Sequence, residues 1–193
     1  MSEPTPDLHP AQNRGLRELF ATARNLAGHW EWLADRFEDG ETKHVLVNGA
    51  GRARALMKEL PGVLEPHNLY VGAAARQAGA SMSGARTALG DRFLERNQAL
   101  RAAVLDVQHV VTLLGYQAEL ARAQGSEELA SFCQRWESEL AAVERTARRA
   151  AVRLARDPDS AVERHDGSPA GKAAHGMAYW AGTFGEWFDR RRG

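Results

Sequence analysis

The sequence predicts an all-α protein, a soluble helical bundle, and three observations carry that reading. Apolar residues recur at alternating three- and four-residue intervals over long stretches, the spacing that lines one face of a helix. Two such stretches are joined by Gln124-Gly125-Ser126, a short connection with a helix-ending glycine and a helix-starting serine. The 193 residues suffice for one domain with a sizeable core.

Residues 1–12 read as a flexible lead-in, because Pro4, Pro6 and Pro10 interrupt regular structure and no apolar periodicity begins before Leu16. The bundle is expected over 13–157. Its first helix carries Leu16, Leu19, Ala23, Leu26, Trp30, Leu33 and Phe37 on one stripe and should end near Gly40. Glu18, Thr22 and His29 flank that stripe, as boundary residues reaching water or a carbonyl, or as groups turned towards the bundle interior. Trp32 projects away from it, either to pack on another element or to help form a contact surface.

A second helix is expected from about Thr42 to Leu60, weakened by Gly49 and Gly51. Just before and within its start, Glu41 and His44 have the spacing that puts a carboxylate and an imidazole on one side of a helix. A strand, a Gly-x-Gly turn and a helix would instead echo a phosphate loop, but the third glycine is missing and no strand-helix alternation follows. Pro61-Gly62 and Glu65-Pro66 should break the chain. Residues 67–90, rich in alanine and glycine, predict short helical pieces and the most mobile part of the molecule.

The third and fourth helices form a hairpin between Phe93 and Arg156 around which the rest is organised. Leu100, Val104, Val107, Val111 and Leu114 make the first arm's stripe, and Leu105, Val110 and Leu113 widen it. Only Arg101, Gln108, Thr112 and Glu119 make a polar strip, so that arm should be buried on most sides. Asp106 falls within the apolar arc with His109 one turn on, and a buried carboxylate needs a partner. The second arm runs along Leu129, Phe132 or Cys133, Trp136, Leu140, Val143, Ala147 and Leu154, with Ser126 as its expected cap. Arg145, Arg148, Arg149, Arg153 and Arg156 load its last turns and read as a solvated face.

Residues 158–169 read as a linker and 170–193 as an aromatic C-terminal helix, with Trp180, Phe184, Trp187 and Phe188 as partner-binding candidates. That helix would dock on the bundle, mediate association or anchor at a membrane surface.

The 25 basic and 25 acidic residues balance, which gives no general reason to expect nucleic acid as a partner. No apolar run approaches the roughly 18 to 20 residues of a membrane span. The single cysteine, Cys133, excludes an internal disulfide and reads as an inert buried thiol in a reducing compartment. With no secretory signal pattern at the start, a cytoplasmic location is expected.

Ala102-Ala103-Val104-Leu105-Asp106-Val107-Gln108-His109, then Tyr116, Leu120-Ala121-Arg122-Ala123-Gln124-Gly125 and Trp136-Glu137-Ser138-Glu139 resemble the last two helices of the ferritin-like superfamily, in particular the bacterial YciF-type stress proteins. The resemblance implies a four-helix bundle and a two-metal carboxylate site for iron or manganese. Asp106 and His109 would be one carboxylate-x-x-His pair and Glu41 and His44 the other, with Glu139 or Glu137 and Glu18 as single glutamates. The chain departs from the family pattern in carrying Asp at 106 and Gln at 108, and in placing Glu41 close to a helix start. The reading that follows is a non-enzymatic, stress-related ferritin-like bundle without a cofactor, acting as a homo-oligomer or on a protein partner. A di-metal redox or metal-storage protein is the alternative.

Overall fold

The computed structural model describes residues 8–70 and 94–163, and within these the chain is all-helical. Four long helices, α1 (Pro10–Ala34), α2 (Gly40–Leu64), α3 (Arg96–Ala123) and α4 (Glu127–Arg153), are followed by one short turn, α5 (Pro158–Ala161). The expectations for 71–90 and for Trp180, Phe184, Trp187 and Phe188 lie outside the described residues. None of the described helices is long and apolar enough to cross a membrane.

Helix α1 starts inside the expected lead-in, at Pro10, whose fixed φ suits a first helical position. His9 precedes it and its Nδ1 accepts from the Ala11 N–H at 3.1 Å. The helix stops at Ala34, short of Gly40. Phe37 remains buried in the connection, and Asp39 then caps α2 by accepting from the N–H groups of Glu41 and Thr42 at 3.1 and 3.0 Å. Gly40 therefore opens the second helix instead of closing the first.

Helix α2 also runs through Pro61, where the sequence predicted a break. Pro61 is exposed and lies in the last turns, where one lost backbone hydrogen bond is cheapest to replace with water. The chain then tightens into a 3-10 turn (Glu65–His67) and reverses at Asn68, whose φ of 53° is left-handed. Val45-Leu46-Val47 is helical, which removes the phosphate-loop alternative.

In the hairpin, Gly125 adopts φ 72°, a conformation only glycine takes without strain, and the Ser126 N–H reaches back to the Ala121 carbonyl at 2.9 Å. Ser126 makes no side-chain cap; the first turn of α4 instead presents Glu127 and Glu128 to the helix dipole.

Each long helix packs on two others, in the cyclic order α1, α2, α4, α3, with α3 against α4 the most extensive pairing. The core between them contains Leu16, Leu26, Leu46, Leu56, Leu100, Leu114, Leu140 and the tryptophans Trp30 and Trp136, all essentially without solvent exposure. At about 1.5 to 3 kcal/mol per large buried side chain, this layer is what holds the helices together. Trp30 shows how closely they approach. Its ring lies on the α2 backbone at Gly49, where an added Cβ would sit 2.0 Å from the indole, and its N–H donates to the Ala103 carbonyl of α3 at 3.2 Å. One α1 side chain thus bridges to two neighbouring helices.

Candidate functional site

The register of α1 against α3 decides the partner of Asp106. His29 Nδ1 donates to Asp106 Oδ2 at 2.5 Å, with the imidazole 7% and the carboxylate 29% exposed. The carboxylate thus sits at the edge of the seam, and its partner is on α1, not at His109 one turn along its own helix. His109 is exposed and faces Glu18 of α1 at 3.5 Å. Beside His29, Trp32 stacks at 6.2 Å between ring centroids and is half-buried, with the Arg36 guanidinium 3.9 Å above its ring.

The other candidate ligands are carried by α2 and α4. Glu139 accepts from Arg52 of α2 at 2.9 Å and lies 3.5 Å from Arg135, one turn back on α4. Glu41 pairs with Arg153 at the far end of α4, while His44 is exposed. Glu137 points to the α3–α4 seam, where a Cβ at Gly115 would meet its Oε1 at 3.0 Å. Asp106 and His109 therefore face α1, and Glu139 and Glu41 are each held by arginine elsewhere. Among the described residues no three His, Cys, Asp or Glu side chains are grouped to hold a metal ion. As placed, these side chains do not fit the two-metal centre that the resemblance implies.

Arginine pairing, a hydroxyl and burial each shift one acidic group. A hydrogen bond from Arg135 is the main cause that holds Glu59 below the usual carboxylate range, aided by the arginine's charge and by the Trp136 N–H. Asp39 is lowered chiefly by the Thr42 hydroxyl. Burial, with a smaller contribution from Glu137, pushes the Cys133 thiol up to about 12, so it stays protonated at neutral pH.

A different surface is left open on the outside of the hairpin. Leu105, expected in the buried arc of α3, is 64% exposed, and Val152 of α4 is 68% exposed. Both line a shallow groove of about 220 Å³ with Val104 and Ala151 at its floor and Arg101 and Arg148 at its rim. Further along α3, Tyr116 is 54% exposed on the same strip, about three helical turns from Leu105. The sequence carried a signal for this strip, since Arg101, Gln108, Thr112 and Glu119 were read as its polar residues and all four are exposed. Leu105 and Tyr116 fall among them on a projection at about 100° per residue.

Comparison with protein-family models, curated proteins and solved structures finds no match for this chain.

Proposed function

We propose that the chain is a non-enzymatic four-helix bundle of the ferritin-like kind that acts by association, with the outer α3–α4 face as its docking surface. The observation that carries this reading is the groove in which Leu105 and Val152 stand side by side in solvent. Isolated exposed apolar residues are ordinary, but two large ones gathered over an apolar floor and rimmed by arginines form a patch of the kind that protein interfaces cover. The scaffold suits the task, because the core beneath the groove is closed and the face needs no rearrangement to bind. A stress-related role belongs to the same reading through the family resemblance alone.

Hydroxyl-radical footprinting of the full chain tests it, with oxidation of Leu105, Val152 and Tyr116 followed at low and high protein concentration, without and with added cell extract. Protection of these side chains at high concentration or in extract is expected. Equal oxidation under all conditions would remove the docking surface and the reading with it.

A further inference from the structure

The charges on the outer α3–α4 face are arranged so that the face is complementary to itself. On α3 the exposed strip runs Arg101, Leu105, Gln108, Thr112, Tyr116, Glu119, basic at its start and acidic at its end. On α4 it starts at Glu127 beside the hairpin turn and finishes at Arg145, Arg148 and Val152. Because the two helices are antiparallel, both basic ends lie together at one end of the face and both acidic ends at the other. Arg148 is bonded to Glu144 and Glu119 to Arg122, but Arg101, Arg145 and Arg149 at one end and Glu127 and Glu128 at the other keep the two ends opposite in sign.

We infer that the occupant of this face is a second copy of the chain, docked antiparallel about a two-fold axis that crosses α3 between Gln108 and Thr112. This rests on the association reading above and names its partner. The register follows from the strip itself. With the axis there, Arg101 of one copy meets Glu119 of the other, Leu105 meets Tyr116, and Gln108 meets Thr112. Polar and apolar positions thus match along α3 under one axis, as an isologous interface requires. The alternative two-fold, parallel to the helices, would set Leu105 on Val152 of the second copy but crowd the arginines of both copies together. The hairpin is about 40 Å long and two helices, roughly 20 Å, wide, which offers on the order of 800 Å² per copy, the size of a standard stable interface.

Variants of the full chain with one added cysteine, treated with a short bis-maleimide, read the geometry directly. Cys133 is buried and its thiol is raised to about 12, so the native chain is an unreactive control. Thr112→Cys is expected to cross-link to its own copy, and Leu105→Cys mixed with Tyr116→Cys to cross-link as a pair. Leu105→Cys alone is expected not to, because the two thiols would lie about 16 Å apart along the helices. Arg101→Glu should weaken dimerisation at least severalfold by sedimentation, and adding Glu119→Arg should restore it. All these positions are exposed, so an unchanged thermal melt establishes that each variant folds.

Cross-linking of Leu105→Cys with Val152→Cys instead, or failure of the charge swap to restore the dimer, would overturn the antiparallel register. A purified chain that stays monomeric at all concentrations would overturn the second copy as occupant. If Leu105 were then protected only in extract, association through this face would stand with a different protein.

Discussion

The α1–α3 seam and the α2–α4 seam are built from the same antiparallel helix packing, yet they handle polar groups in opposite ways. Across α1–α3, polar side chains are drawn inward. His29 bonds Asp106, Trp30 reaches the Ala103 carbonyl, Gln12 accepts from Gln124 at 2.7 Å, and Gln117 lies fully buried against Gly15. Across α2–α4, arginines lace the outside, Arg52 to Glu139, Arg135 to Glu59 and Arg153 to Glu41. Buried polar pairs fix one register because a slip leaves them unsatisfied, whereas exposed ion pairs re-form with small cost. The first seam should therefore be sensitive to single substitutions and the second tolerant.

The largest effect should come from Trp30→Ala, which empties the space between three helices and removes the bond to Ala103. A loss of about 3 to 5 kcal/mol is expected from urea unfolding. Asp106→Ala should follow at about 1 to 3 kcal/mol, because His29 is left mostly buried beside an apolar methyl. A loss as small as that of an α2–α4 ion pair would break the contrast between the seams.

On the other seam, Arg135→Ala should cost about 0.2 to 1 kcal/mol at neutral pH. Its pH dependence has a definite sign. Glu59 has a folded-state pKa lowered from its ordinary value of 4.5, so the pairing stabilises the fold above that value and the contribution is lost as pH falls through the lowered one. Unfolding curves of wild type and Arg135→Ala should converge on the acid side. A gap that widens on acidification would contradict the assignment of Arg135 as the partner that matters.

The smallest effect on stability is expected outside both seams, at Leu105→Glu, whose side chain stands in solvent in the single chain. Its melting temperature should match that of wild type at protein concentrations too low for association.

How much of this could be read in the sequence depends on what each feature needs. Leu16 through Leu33 and the hairpin around Gly125 were legible because a helical stripe and a left-handed glycine are local properties. The first helix was read as reaching Gly40 because Phe37 continues its periodicity, but Asp39 caps the next helix and the chain turns before it. The His29–Asp106 pair depends on the register between helices distant in the chain, which no spacing within either helix reveals. Leu105 was placed in the core because α3 is apolar around most of its circumference, and only the positions of α1 and α4 decide which arc is left to water. Cys133 was legible as a buried thiol, since its place on a buried stripe is again local.

Sedimentation velocity of the full chain beside Leu105→Glu tests the central claim most directly. The account expects a concentration-dependent dimer for the wild type, weakened by added salt as an interface of opposed charges requires, and a monomer of unchanged melting temperature for the variant. Equal mass for the two chains at every concentration would contradict it.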